Sequence, residues 1–221
     1  MNNTYYIISN STDSKETGND FPQIQNVTKE YNPNGPYSVY KLYEHRNLNP
    51  PFIPELDSFE VRKRTKLTDL MSNAFIGGRG LFLSEKFKSL LSDFNLPKHK
   101  FFKSTVIKDD DTRSYYWFHL IESDYRQNVV FEKTKFSNWK DLKLDSYQNY
   151  LDFSENEDKF GLLRANNVTL GNTFDKSLDL FMISAFDQNL YISQKLKDKI
   201  IEEKLTGIEI KSSEGKLDFE G

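Results

Sequence analysis

The sequence predicts an α+β fold in a single domain, built mostly on an antiparallel sheet that carries two serine-capped helices. Two observations support this class. β-rich segments recur along the whole chain, and two amphipathic segments, 85–94 and 194–204, each follow a serine. The length of 221 residues fits one large domain, which buries enough surface to fold without disulfides or structural metals.

The first third of the chain is predicted to consist of strands joined by loops. Strands are expected over residues 4–9, 36–44 and 59–64, and apolar residues at helical spacing predict a short helix over 67–71. A stretch rich in Asn, Ser, Asp, Gly and Pro predicts a long surface loop up to about residue 35. We therefore expect residues 1–65 to pack as strands and loops on a main domain, 66–211, followed by a polar, frayed tail, 212–221.

The clearest helix is predicted over residues 85–94. Ser84 is a suitable N-cap, because its hydroxyl can accept a hydrogen bond from the free backbone N–H groups of the first turn. Glu85 lies at the positive end of the helix dipole, and Asn95 and Pro97 end the helix. One apolar stripe is formed by Phe87, Leu90, Leu91 and Phe94.

A β-hairpin is predicted next, from segments 101–107 and 115–121 around a polar connection. The second segment is apolar or aromatic on both faces, which indicates a central strand covered on both sides. Further strands are expected over 128–132, 178–186 and 208–211, with a turn over 187–189.

Part of the chain recurs. Residues 81–88, Leu-Phe-Leu-Ser-Glu-Lys-Phe-Lys, return at 190–197 as Leu-Tyr-Ile-Ser-Gln-Lys-Leu-Lys, an offset of 109 positions. One explanation is coincidence between two ordinary capped helices. The other is an internal pseudo-repeat, for which two helices packed on one shared sheet are the expected product.

Composition excludes several classes of function. The absence of cysteine excludes thiol catalysis and zinc ribbons, and fits a reducing cytoplasm. The N-terminus lacks the pattern of a signal peptide, and no stretch is long and apolar enough for a membrane helix. The net charge of −3 is spread along the chain, without the basic run of a nucleic-acid site. The expected protein is cytoplasmic, with no membrane or nucleic-acid partner.

No motif indicates catalysis or a cofactor. The three histidines lack metal-ligand spacing, and His119, in the central strand, is expected to be a hydrogen-bonded core residue rather than a ligand. His45 and His99 are expected at the surface. Gly77-Gly78-Arg79-Gly80 resembles a phosphate loop only superficially, because a strand follows it, so a turn is predicted.

The strongest candidates for contact with a partner are an acidic triplet and one tryptophan. Asp109, Asp110 and Asp111 form a predicted hairpin tip that could be merely solvated, could hold a divalent ion, or could contact a protein partner. Trp139 lies among polar residues, and tryptophan is enriched at interface hot spots. These four residues are the sequence-based prediction for partner binding, and no cofactor is predicted.

Five segments of the chain occur in a characteristic order: 82–87, 115–121, 129–136, 190–193 and 205–209. Together they resemble a family of bacterial immunity proteins from polymorphic toxin systems, long catalogued as a domain of unknown function. The resemblance covers roughly residues 70–211. Near Phe131 and Thr134 the chain departs from the family's Asp-x-x-x-Ser pattern.

The resemblance implies a cytosolic antidote that binds a cognate toxin domain and blocks it, with no catalytic residues to carry over. Two alternatives remain open from the residues alone. One is a secretion-system accessory or other interaction protein without catalytic activity. The other is an enzyme, which would need acids such as Asp109 or Glu132 to converge with His119.

Overall fold

The structure, a computed structural model, describes residues 4–19, 21–28, 30–45, 48–56, 59–73, 80–109, 111–121, 125–136, 144–154, 163–184 and 186–220. In chain order the strands are β1 (Tyr5–Asn10), β2 (Ile24–Val27), β3 (Phe59–Val61), β4 (Leu70–Met71), β5 (Gly80–Ser84), β6 (His99–Lys108), β7 (Asp111–Leu120), β8 (Lys135–Phe136), β9 (Ala165–Leu170), β10 (Leu180–Ser184), β11 (Asp187–Ser193), β12 (Ile208–Ser212) and β13 (Leu217–Phe219). The helices are α1 (Ser14–Thr17), α2 (Glu85–Leu91), α3 (Tyr147–Ser154) and α4 (Gln194–Glu202), with 3-10 helices at Val39–Tyr43, Arg126–Asn128 and Phe131–Lys133.

These strands form three mostly antiparallel sheets. A six-stranded sheet has the order β2-β3-β6-β7-β5-β4, a four-stranded sheet the order β10-β11-β1-β12, and a three-stranded sheet the order β13-β9-β8. Only the β3–β6 and β9–β13 pairs, among the named strands, are parallel. The predicted α+β class is confirmed. In the described part of the chain, no helix has the length and apolarity needed to cross a bilayer.

The elements predicted with the strongest patterns are confirmed. α2 and α4 begin where expected, and β6 and β7 form the predicted hairpin with β7 inside the sheet. Helix α2 buries Phe87, Leu90 and Leu91, which are three residues of the predicted stripe.

Five predictions of local structure are wrong. Residues 187–189, which were expected to form a turn, begin β11. Residues 39–43 form a 3-10 helix where a strand was expected, and residues 70–71 form a strand where a helix was expected. The predicted strand over 128–132 is replaced by parts of two 3-10 helices. The C-terminal residues are not a frayed tail, because Leu217–Phe219 pairs in parallel with β9. Each of these segments is short, so its tertiary contacts outweigh its local pattern.

The recurring segment belongs to a longer repeat, in which one copy runs from β1 to β6 and the other from β7 to β13. Ser84 Oγ accepts a hydrogen bond from Phe87 N at 3.2 Å, and Ser193 Oγ accepts one from Leu196 N at 3.1 Å. Each serine hydroxyl also donates to an aspartate 14 or 15 positions upstream: Ser84 to Asp69 at 2.7 Å and Ser193 to Asp179 at 2.6 Å. The two capping sites are thus built in the same way.

Each aspartate also receives a hydrogen bond from the segment that follows the other helix. Asp69 Oδ2 accepts from the backbone N–H and the hydroxyl of Thr206, both at 2.9 Å. Asp179 Oδ2 accepts from the backbone N–H of Asn95 at 2.9 Å. The contacts are reciprocal, so the two copies are related by an approximate twofold axis.

Lysines on the two helices repeat the reciprocity. Lys86 Nζ donates to Glu203 O at 2.5 Å, and Lys195 Nζ donates to Asp93 O at 3.5 Å. Because each acceptor is a carbonyl at or just beyond the C-terminal end of the other helix, the lysines also meet the negative end of its dipole. These reciprocal contacts favour an internal pseudo-repeat over coincidence.

The first strand of each copy lies in the sheet of the other. β1 pairs with β11 and β12, and β7 pairs with β5 and β6. The exchanged strands match in detail, because Tyr5 faces Ser193 as Tyr115 faces Ser84. The Tyr115 hydroxyl donates to Thr68 O at 2.8 Å, and the Tyr5 hydroxyl donates to Leu178 O at 3.2 Å.

The chain therefore forms two lobes with one plan. We call the six-stranded sheet with α2 the first lobe, and the other two sheets with α3 and α4 the second lobe. β6 of the first lobe corresponds to β12 and β13, separated by a turn, and the parallel β3–β6 pair corresponds to β9–β13. The expectation of one shared sheet is wrong, since α2 packs on β5 and β7 while α4 packs on β11 and β1.

Three hydrophobic clusters hold the lobes together. Each lobe has its own core, and a third cluster between them contains apolar residues of both α2 and α4. Tyr115 stacks on Phe82 at 5.5 Å in the first core, and Tyr5 meets Phe181 edge-on at 5.1 Å in the second. Such aromatic pairs add to the stabilisation from burial itself.

Candidate protein-binding surface

The structure describes two of the four predicted contact residues. Asp109 begins the β6–β7 turn with a φ of 53°, and Asp111 forms an ion pair with Arg113 at 2.7 Å. Asp110 and Trp139 lie outside the described residues. The acidic tip remains a prediction, in which one carboxylate is already neutralised by a neighbour.

A different segment presents apolar side chains to solvent. Among the described residues, four of the six large hydrophobic side chains that are exposed belong to residues 37–53: Tyr37 is 57% exposed, Tyr40 45%, Leu48 56% and Ile53 76%. Phe52 is half-buried beside them. We call these five residues the Tyr37–Ile53 surface. Concentration of large apolar side chains at one place is typical of interaction sites.

The 3-10 helix fixes which side chains point outward. Val39 and Leu42, three positions apart, are fully buried in the first-lobe core, so Tyr40 between them faces solvent. Ser38 caps the helix by accepting a hydrogen bond from Tyr40 N at 3.3 Å. The Tyr31 hydroxyl accepts one from Val39 N at 2.9 Å, which fixes the helix start.

The two ends of the segment are held together. Glu55 N donates to Tyr37 O at 2.7 Å, which closes the segment into a loop. The Phe52 ring lies 6.5 Å from that of Tyr37 and 5.6 Å edge-on from that of His45. Tyr37 and Phe52 are therefore neighbours in space although fifteen positions separate them, and the surface is pre-formed.

His119 anchors the middle of this loop from the core. It is fully buried, and its Nε2 lies 3.2 Å from His45 O and 3.0 Å from Leu48 O. Trp117 Nε1 donates to Nδ1 at 3.4 Å, so the contacts select the neutral tautomer with its proton on Nε2. Burial lowers the pKa of His119 below 6.5. The prediction of a hydrogen-bonded core histidine is confirmed, and its partners are the carbonyls of the exposed loop.

One pair of opposite charges lies within the segment. Lys41 Nζ and Glu44 Oε1 form an ion pair at 3.1 Å. An exposed pair of this kind contributes little to stability. Affinity at such a surface comes from burying aromatic and aliphatic anchors.

In the described part of the chain, Asp109 does not converge with His119, as one form of the catalytic arrangement considered above would require. His119 and the acidic hairpin tip lie at opposite ends of β7, eight residues or roughly 26 Å apart at the rise of a strand. Both ring nitrogens of His119 are engaged. Within the described ranges, no three His, Asp or Glu side chains are grouped so that they could hold a metal ion.

A cleft of about 580 Å³ lies where β12 gives way to β13. The aromatic rings of Tyr5 and Phe219 line it together with the Lys176 side chain, whose ammonium lies 5.3 Å from the Phe219 ring. Hydroxyl groups, Glu214 and Asp218 complete the lining. The cleft arises because the turn between these strands interrupts what is one continuous strand, β6, in the first lobe.

No protein-family model matches the sequence, and no curated protein matches it. The function of this chain can therefore be inferred only from its residues and their geometry.

Proposed function

We propose that this protein is an immunity protein, which neutralises a cognate bacterial toxin domain in the cytoplasm by binding it stoichiometrically. The observation that carries the proposal is the Tyr37–Ile53 surface, a pre-formed set of exposed aromatic and aliphatic side chains. The resemblance of residues 70–211 to the immunity family supports the same reading. A secretion-system accessory would bind an apparatus component at this surface instead.

The energetics of such a surface suit an antidote. Protection from a toxin requires nanomolar affinity or better, about −12 kcal/mol. An interface of roughly 800 Å² on each partner supplies this when a few fully desolvated anchors lie at its centre. Tyr37, Tyr40 and Ile53 are anchors of this kind. Because His119 and the Glu55–Tyr37 backbone contact already hold their loop, little ordering entropy is lost on binding.

The test compares two exposed isoleucines. Ile53 is 76% exposed on the proposed surface, and Ile201 is 58% exposed on α4 of the second lobe. Ile53→Glu and Ile201→Glu introduce the same charge and lose the same apolar group. The toxin domain encoded by the gene immediately upstream is co-expressed with each variant, and binding is measured by calorimetry on the purified pair.

We expect the wild type and Ile201→Glu to rescue growth and to form a 1:1 complex. Ile53→Glu should weaken binding at least thirtyfold, because a buried carboxylate would have no partner at the centre of the interface. Failure of the wild type to rescue growth contradicts the antidote role against that toxin. Equal rescue and equal affinity for both variants would place the binding site elsewhere.

A further inference from the structure

The turn after β3 carries a local cluster of positive charge, although the charges of the whole chain are nearly balanced. Arg62, Lys63, Arg64 and Lys66 are all exposed within five positions, and Lys15 of α1 is exposed beside them. Lys66 Nζ donates to Lys15 O at 2.8 Å, so the two segments are in contact. The prediction that the chain lacks the basic run of a nucleic-acid site did not identify these cations.

The backbone of this turn is fixed by its neighbours. Thr65 N donates to Arg62 O at 3.0 Å within the turn, and Lys66 N donates to Thr17 O at 2.8 Å. Asn19 N donates to Arg64 O at 3.3 Å. Thr65 is 1% exposed beneath the basic side chains. The positive charges therefore project from a rigid base.

An exposed aromatic ring lies next to these charges. Phe21 is 53% exposed, and it lies between Asn19 and Gln23 in sequence. Both of these residues are tied to the turn, since Gln23 Nε2 donates to Lys66 O at 2.8 Å. We call Lys15, Phe21, Lys63, Arg64 and Lys66 the basic turn surface.

The second lobe has nothing comparable at the corresponding place. β9 corresponds to β3, and it is followed by Gly171, Asn172 and Thr173, then Phe174 and Asp175. Phe174 is buried, and the charged side chains of that turn are one acid, Asp175, and one base, Lys176, against four bases after β3. Because the two lobes share one plan, the cations of the first lobe are not required by the fold.

We propose that the basic turn surface docks an acidic face of a protein partner. Its charges lie on one tight turn, which suits a compact group of carboxylates. A nucleic acid would be held by a track of cations along several phosphates, and a short turn neutralises only a few of them. Phe21 adds an aromatic anchor beside the charges, as in protein interfaces. Complementary charge speeds encounter and selects the partner.

This surface is distinct from the Tyr37–Ile53 surface, and the proposal holds whether or not the partner is a toxin domain. The test uses the full chain and two defined probes that carry the same formal negative charge. One is a fluorescent peptide of alternating Glu and Leu, and the other is a thymidine oligonucleotide. Anisotropy titrations are run at 20 and 200 mM salt.

The test variant is Lys63→Glu/Arg64→Glu. The matched control is Lys135→Glu/Lys216→Glu, which reverses two exposed charges of the second lobe. All four positions are exposed, so thermal unfolding should confirm that both variants are folded. A milder variant, Lys63→Gln/Arg64→Gln, removes the charges without reversing them.

We expect the peptide to bind the wild type and the control alike. The reversed variant should bind at least tenfold more weakly and the glutamine variant should be intermediate, and binding by the wild type should weaken at the higher salt concentration. Tighter binding of the oligonucleotide than of the peptide, lost in the same variant, would overturn the proposal in favour of a nucleic-acid site. An equal loss in the control, or no peptide binding above that of the reversed variant, would also overturn it.

Discussion

The two lobes share a plan but differ in one helix, which lies between β2 and β3 in the first lobe and between β8 and β9 in the second. In the first lobe this is the 3-10 helix at 39–43, which leaves Tyr40 and its neighbours open to solvent. In the second lobe it is α3, where Tyr150 is 3% exposed and packs 5.3 Å from the Phe186 ring. In the second lobe Tyr150 is buried in the core, whereas in the first lobe Tyr37 and Tyr40 are exposed to solvent.

This difference teaches where function resides in a duplicated chain. The elements that both lobes retain are those that hold the fold together: the capping serines, their aspartates and the exchanged tyrosines. The two proposed binding surfaces instead consist mostly of exposed side chains, where a change costs little stability. The Tyr37–Ile53 surface and the basic turn surface both belong to the first lobe.

The largest effect is expected from the exchanged tyrosines. Tyr5→Ala should destabilise the protein by about 3–5 kcal/mol, because it empties a large site in the second-lobe core. Since β1 also ties the first half of the chain to the second lobe, the first lobe should unfold in the same transition. Urea unfolding is followed by circular dichroism and, in chains that also carry Trp139→Phe, by the fluorescence of Trp117 in the first-lobe core.

Tyr40→Ala is the control for this experiment, because Tyr40 is an exposed tyrosine. It should change stability by less than about 0.5 kcal/mol. If Tyr5→Ala shifts the circular dichroism transition and leaves the Trp117 transition in place, the lobes unfold independently and the strand exchange does not couple them.

The second effect concerns the capping sites. Ser84→Ala and Ser193→Ala should each cost about 1–2 kcal/mol, because each removes an N-cap and a donor to a carboxylate. We expect the two values to agree within about 0.5 kcal/mol, and thermal or urea unfolding measures them. A large difference would mean that the two copies of the site no longer contribute equally.

Acid should act on the two lobes with opposite sign. Burial lowers the pKa of His119 in the folded state. Below pH 6.5 the unfolded chain therefore binds a proton at His119 that the folded chain does not bind, and the free energy of unfolding falls. The pKa of Asp187, in the second lobe, is raised above 3.8 by burial, so its proton is bound more tightly in the folded state and acid favours folding there.

Urea midpoints at pH 7.5 and 5.5 measure the first of these contributions. His119→Gln should lose less stability than the wild type over this interval, because the titrating group is gone. Asp187→Asn should reduce the stabilising contribution that acid makes at lower pH, between the folded pKa and 3.8. Identical pH profiles for the wild type and His119→Gln would show that His119 does not stay neutral in the folded state.

The smallest effect separates binding from folding. Ile53→Ser and Ile201→Ser should each change the free energy of unfolding by less than about 0.5 kcal/mol, since both side chains are mostly exposed. Thermal unfolding of the two variants checks this. A clear loss for Ile53→Ser alone would indicate that the loop packs more tightly than its exposure suggests, and would weaken its assignment as a free interface.

Sequence reasoning succeeded where the pattern is local. The Ser84 and Ser193 caps, the apolar stripe of α2 and the two-faced apolar run of β7 could all be predicted, since each reflects contacts with near neighbours in sequence. It also placed His119 in the core. It could not predict that β1 pairs with β11, because partners so distant in sequence leave no local signal.

The candidate surface was missed for a related reason. Residues 36–44 alternate in polarity, which predicts a strand, and only the burial of Val39 and Leu42 together reveals a turn of helix. The exposed residues that matter, Tyr37 and Ile53, are brought together by a backbone contact between Tyr37 and Glu55. Composition alone directed attention to acids and tryptophan instead.

The exchange of first strands has a consequence for synthesis on the ribosome. β1 leaves the ribosome well before its partners β11 and β12, which lie roughly 180 to 200 positions further along the chain. Until those partners are synthesised, the apolar residues Tyr5 and Ile8 of β1 have no sheet to pack in. The sheet of the first lobe, in contrast, is complete once β7 has emerged. Long-range pairing of this kind folds slowly and leaves strand edges open to other chains. The nascent polypeptide therefore acquires its interaction surfaces before it acquires its final shape.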